Sequence, residues 1–254
     1  MSDGDAGTDS ETRPKGVEAL KQHVISHKVE VSLWCTRLAT IVFTFAYILP
    51  LFWNPSSAYY RILLANAATS ALRLHQRLPA MQISLQFLTQ LFKEDSCHYL
   101  LYSVIFLYVS PNILVILPVF LFSTVHFASY SLTLLDLLGQ NAWWGARLLI
   151  SLVEFQSRSI LRLIAFSEIL VMPLTLIMSF FGRSGLLSIV FYYHFLTLRY
   201  ASQRNPHTRL MFSDLRVAAE NFANRSGTPS FLRSAILSGI ATISRMAPAV
   251  PQSS

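Results

Sequence analysis

Charge and cysteine are both scarce in this chain, and each scarcity removes a class of protein. Charged residues make up 13% of the 254 residues, about half of the roughly 25% found in soluble domains. Two cysteines, Cys35 and Cys97, permit one disulfide at most, cannot supply four zinc ligands and exclude a run of zinc fingers. Both are expected to be reduced or palmitoylated. No basic stretch followed by a short apolar region opens the chain, so no cleavable signal peptide is expected and the first span directs membrane entry. Chemistry-bearing spacings are missing as well. His75, Cys97 and His98 are scattered rather than paired, and no nucleophile with a base, phosphate loop or internal repeat is visible. The expectation is a protein that is not an enzyme and holds no cofactor and no metal.

What is present is apolar sequence in blocks. Apolar residues reach 53%, gathered in runs rather than in the patterns of a soluble core. The longest run, Tyr99 to Leu135, holds 37 residues without Asp, Glu, Lys or Arg. As one helix it would be roughly 55 Å long, nearly twice the roughly 30 Å hydrocarbon thickness of a bilayer. Pro111 and Pro118 lie inside it, and a break is expected at Ser110-Pro111-Asn112. Either a tilted, kinked span with a buried shoulder or a short helical hairpin that enters and leaves one leaflet follows.

A first span is expected over about Leu38 to Trp53, extendable through Val31 to Cys35 if Arg37 reaches toward the headgroups. Trp34, Trp53, Tyr59, Tyr60, Trp143 and Trp144 read as interfacial anchors. Residues 54 to 98 turn polar with helical rhythm. Leu163 to Phe181 is long enough to span and carries one carboxylate, Glu168. An ionised acid inside a span costs roughly 2.5 to 3.5 kcal/mol, so Glu168 is expected to be protonated, paired or at a polar edge. Its nearness to Arg162 favours that edge, with pairing to Arg162 or to a group such as His126 on another span. Leu186 to Leu198 is short for a crossing and reads as re-entrant, interfacial or packed on other helices. Three or four hydrophobic spans or re-entrant hairpins result.

The organisation is therefore a polar, partly disordered N-terminus over residues 1–30, a transmembrane helical domain over 31–198 and a basic amphipathic tail over 199–254. In the tail, Met211, Leu215, Ala218 and Phe222 repeat at helical spacing. After Gly227-Thr228-Pro229, a second stripe follows through Phe231, Leu232, Ala235, Ile236, Ile240 and Ile243. Arg233 and Arg245 stand among Ser, Thr and Gly on its other side. A polar face with so few charges adheres weakly to headgroups, so binding depends on inserting the stripe into packing defects, which curved bilayers offer more often. Membrane-surface binding is expected from these residues, unless the stripe packs on the transmembrane helices instead. Residues 182–254 contain eight arginines and two acids. The arginines are spread singly and no nucleic-acid motif surrounds them, so anionic lipid or acidic proteins are the expected partners and nucleic acid is not.

Counting Lys and Arg on a three-span model puts more bases on the side holding 54–98 and 182–254 than on the side holding 1–37 and 136–162. The C-terminal tail is then cytosolic. Asn224-Arg225-Ser226 is the one usable glycosylation sequon, because Asn54 and Asn205 each precede proline.

LANAATSALRLHQRLP (Leu64 to Pro79), EDSCHYLLYS (Glu94 to Ser103), YHFLTLRYASQRNP (Tyr193 to Pro206) and ISRMAP (Ile243 to Pro248) resemble the transmembrane protein 33 family, which includes yeast pore-membrane relatives. The likeness runs over about Ser32 to Pro251. It implies an all-helical protein of the endoplasmic reticulum membrane and nuclear envelope, associated with reticulon-type tubule proteins and nuclear pore assembly. It also implies links to the unfolded protein response and calcium handling, no catalytic residues, and membrane binding by the basic C-terminal region. The expected function is to shape or sense curved membrane and scaffold partners, with a possible oligomer. The alternative is a regulatory membrane subunit of an ion channel or of the unfolded protein response.

Overall fold

The computed structural model describes residues 15–50, 53–78, 84–140, 143–154 and 157–248. The expectation of disorder in the first residues falls mostly outside these. Among the described residues the chain forms eleven helices and no strand. A surface helix α1 (Val17–Ser26) leads into α2 (Lys28–Ile48) and α3 (Pro55–Arg77). A short α4 (Leu85–Lys93) precedes α5 (Asp95–Leu107) and α6 (Ile113–Leu138), and α7 (Trp144–Glu154) connects to α8 (Ser157–Phe180) and α9 (Leu186–Ala201). Two tail helices follow, α10 (His207–Ala223) and α11 (Ser230–Met246).

Local chemistry sets several boundaries. Asn54 caps α3 by accepting from the Ser56 amide at 2.9 Å, with Pro55 in the first turn, where its missing N–H costs nothing. Asn112 caps α6 in the same way, accepting from the Leu114 amide at 2.9 Å. The long apolar run therefore breaks where Pro111 was expected to break it, but into a short α5 and an α6 long enough to cross a membrane, which is neither one kinked span nor a hairpin confined to one leaflet. Pro118 stays inside α6 and is buried. Gly139 ends α6 at φ 73°, letting the Gln140 amide reach the Leu135 carbonyl at 3.0 Å.

Six helices form an antiparallel bundle, and contacts across each pair fix the direction. Thr69 donates to Thr36 at 2.8 Å while Tyr59 meets Tyr47 at the other end of α2 and α3. Asn66 of α3 donates to Ser103 of α5 at 2.7 Å, and Tyr59 to the Phe106 carbonyl at 3.3 Å. Tyr102 donates to the Val115 carbonyl at 2.7 Å and Tyr99 packs on Phe122, closing α5 on α6. Tyr192 donates to the Glu168 carbonyl at 2.7 Å, tying α9 to α8. The core is aromatic, with Tyr59, Tyr102, Phe106, Tyr192 and Phe195 fully buried. Between lipid-embedded helices hydrophobicity supplies little attraction, because the tails are as apolar as the side chains. Close ring packing and interhelical hydrogen bonds hold such a bundle instead.

Three helices are long and apolar enough to cross a membrane: α2, α6 and Arg158–Phe180 of α8. The first begins at Lys28, ten residues before the expected start at Leu38, because Arg37 is turned inward and does not mark the interface. Leu186 to Leu198 proves to be packed on other helices: Tyr192, Phe195 and Leu196 of α9 are buried. At about 1.5 Å per residue, α5 and α9 are roughly 20 and 24 Å long, shorter than the bilayer core. The chain is thus an all-α, multi-pass membrane protein.

The allocation of the N-terminus and the tail to opposite sides is not what the bundle has. Gly16 donates its amide to the Leu137 carbonyl at 2.8 Å, and His23 pairs with Tyr130 at 3.0 Å, placing the N-terminal segment beside the end of α6. Arg77, Glu94 and Arg204 meet at this same end of the bundle, so residues 202–206 leave α9 there as well. The sequence count assumed three crossings and missed that α3, α5 and α9 return the chain between them. Lys28, Arg77, Lys93, Arg158 and Arg204 lie toward this end. Arg61, stacked on Phe43 and Trp53, and Arg183, whose carbonyl accepts from the Ser110 amide, lie at the other.

Candidate polar centre of the bundle

Several charged side chains sit on the inward stripes of their helices. On α9, Tyr192, Phe195, Leu196 and Arg199 follow the i, i+3, i+4, i+7 spacing of one face, and all are buried. On α5, Asp95 lies in register with Tyr99, Tyr102 and Phe106; on α2, Arg37 lies in register with Leu33, Thr40 and Thr44. Helical geometry therefore carries these charges inward along with their apolar neighbours.

Glu168 is fully buried midway along α8. Arg199 Nε donates to its two carboxylate oxygens at 3.0 and 3.2 Å, Tyr99 to Oε1 at 2.5 Å and Thr208 to Oε2 at 3.1 Å. Arg199 Nη1 also donates to Asp95 Oδ1 at 3.1 Å, and Ser202 donates to the same oxygen at 2.9 Å. The guanidinium lies over the Tyr99 and Phe122 rings, 5.4 and 6.0 Å from their centroids. Next to this cluster, Glu94 accepts from Arg77 at 3.0 Å and Arg204 at 2.6 Å. Three carboxylates are thus matched by three arginines drawn from α3, α9 and the α9–α10 connection.

Glu168 is therefore paired, as expected, but with a different partner and in a different place. Neither Arg162 nor His126 bonds to it, and it lies inside the protein rather than at a polar edge. His126 stacks on Phe122 at 5.9 Å. Proximity in sequence suggested Arg162, but α8 points Glu168 toward α9, where Arg199 stands. His98, at the start of α5, bonds the Phe92 carbonyl through Nε2 at 2.7 Å, while its Nδ1 stands 3.8 Å from Asp95.

Glu168 and His126 are in the interior; the surface residues expected to bind membrane divide in two. On α10, Met211 and Leu215 are half-buried, on a helix packed against α8, and Phe222 is exposed. On α11 no residue is buried. Phe231 is 74% and Ile243 57% exposed; Arg233 and Arg245 are exposed, while Leu232, Ile236 and Ile240 are half-covered. Among the described residues, Tyr193 ties the bundle to α11 by donating to the Met246 carbonyl at 3.2 Å. Cys35 is exposed and Cys97 partly covered, both as free thiols.

Arg199, Asp95, Tyr99 and Thr208 were not singled out from the sequence. The available signal was register: Arg199 closes an i, i+3, i+4, i+7 stripe whose other members are apolar. The sequence stretches that looked most distinctive meet here in space. EDSCHYLLYS supplies Glu94, Asp95 and Tyr99; YHFLTLRYASQRNP supplies Arg199, Ser202 and Arg204; and LRLHQRLP supplies Arg77.

Comparison with known proteins agrees. The profile of the family described as Transmembrane protein 33/Nucleoporin POM33 matches residues 12–249. The chain is 50% identical over 229 residues to Krueppel homolog 2 of Drosophila melanogaster, covering 90% of this chain and 82% of that protein. It is 45% identical over 240 residues to Transmembrane protein 33 of Homo sapiens, covering 94% and 97%. With Transmembrane protein 33 homolog of Caenorhabditis elegans it shares 37% identity over 238 residues, covering 91% and 86%. No solved structure matches.

Proposed function

The chain belongs to the Transmembrane protein 33/Nucleoporin POM33 family, and from that premise we propose that it shapes or senses curved membrane in the endoplasmic reticulum and nuclear envelope while scaffolding other membrane proteins. The observation that carries the reading is α11, seventeen residues of amphipathic helix with none buried. The stripe whose exposed edges are Phe231 and Ile243 inserts shallowly into one leaflet and widens it. The short helices α5 and α9 add to the imbalance, since they fill the bilayer unevenly. Reticulon-type proteins and nucleoporins are the partners that family membership suggests, bound through helix contacts rather than catalysis.

The side follows from charge. With the N-terminal segment and the start of the tail at the same basic end, and Arg61 and Arg183 at the other, the positive-inside rule puts both in the cytosol. Tags at residue 15 and after Ser254 should be accessible from the cytosol and one at Ser184 should not. Glycosidase treatment should leave the native protein unshifted, since Asn224 then faces the cytosol.

Reconstitution of the purified full-length protein tests the function. Tubulation or narrowing of vesicles by the protein alone supports intrinsic shaping. Vesicles left unchanged, with altered conductance or activation of a co-reconstituted channel or stress sensor, would replace shaping by regulation.

A further inference from the structure

Beside the Glu168 cluster, lined by residues of α2, α3, α5, α6, α8 and the α9–α10 connection, lies a half-open cavity of about 330 Å³. That is at the small end of the roughly 300–1,000 Å³ of ligand sites. Arg37, Arg73, Arg77 and Arg204 line it, with Asp95 as the acid among its lining residues. His126 and His207 face it, and Asn66, Ser70 and Ser123 add neutral hydrogen-bonding groups.

The arginines are not equivalent. Arg77 and Arg204 share Glu94, and Asp95 is held by Arg199 and Ser202. Arg37 and Arg73 join no ion pair and donate no side-chain hydrogen bond among the described residues; they repel each other, and Glu94 offsets only Arg73. Arg37 is 6% exposed and sits near the middle of a membrane span. A buried guanidinium without a counter-charge costs several kcal/mol, and its planar fork matches an oxyanion.

We propose that this cavity binds a phosphate-bearing anion, gripped by Arg37 and Arg73 and seated on the Ser70 hydroxyl. A phospholipid headgroup entering from the bilayer and a soluble phosphate entering from the cytosolic end present the same chemistry. The cavity is independent of α11, so its test and that of membrane shaping succeed or fail separately.

The experiment is thermal unfolding of the full-length protein in neutral detergent, titrated with inorganic phosphate or with detergent-solubilised phosphatidylinositol phosphate. Chloride at matched ionic strength and phosphatidylcholine are the references. Saturable stabilisation by about 5 °C at a hundredfold excess over Kd is expected from one of the two. A response to phosphate identifies a soluble ligand; a response to the anionic lipid alone identifies the headgroup. Arg37→Gln and Arg73→Gln should each weaken binding by about tenfold or more, with Arg37→Lys intermediate and Arg147→Gln, at an exposed position of α7, without effect. Because Arg37 has no acidic partner, Arg37→Gln should also melt no lower than the parent protein. The proposal is overturned if neither titrant stabilises the wild-type protein beyond its reference, or if the Arg37→Gln, Arg73→Gln double variant responds as the parent does.

Discussion

Arg199 and Arg233 stand in opposite settings within one chain. Arg199 is fully buried, bonded to Glu168 and Asp95 and stacked on two rings. Arg233 is exposed on a helix with no buried residue. The same side chain organises a fold in one place and meets solvent or headgroups in the other. What separates them is the company each keeps on its helix. Arg199 shares a face with Tyr192 and Phe195, whereas Arg233 lies beside the stripe of Phe231 and Ile236.

The contrast is broken most severely at the buried end. Arg199→Met leaves Glu168 and Asp95 without their cation and should destabilise the protein by about 3–5 kcal/mol, read as a large drop in melting temperature in detergent. Adding Glu168→Met removes the stranded charge, so the double variant should recover part of that loss. If the two losses simply add, the pair is not the unit described here.

Arg204 sharpens the comparison from the middle. Its side chain is 55% exposed although its partner Glu94 is nearly buried. Because Arg77 also holds Glu94, Arg204→Ala should cost less than about 1 kcal/mol. Smallest in stability is the pair Phe231→Ser and Ile243→Ser on α11, expected to shift unfolding by no more than about 0.5 kcal/mol. Vesicle remodelling by the reconstituted protein should nevertheless fall sharply. A variant that remodels as well as its parent would remove α11 from the mechanism.

The break at Pro111, the apolar blocks and the tail helices were legible in the sequence because proline geometry and helical periodicity are local. The partner of Glu168 was not, because Arg199 is 31 positions away and its approach depends on α9 turning back along α8. The same return of the chain defeated the orientation count. Short helices such as α5 fall below the length at which a crossing is read from hydropathy, yet they reverse the chain's direction and so decide which loops share an end.

By itself the sequence determined that this protein lives in lipid, is helical throughout and carries an amphipathic end, since each follows from composition or from spacing within a single segment. Tertiary structure alone decided which acids and arginines cancel one another and that Arg37 and Arg73 are left facing a cavity. Pairing of charges is settled by distance in space, and chain order fixes that distance only after the helices have packed.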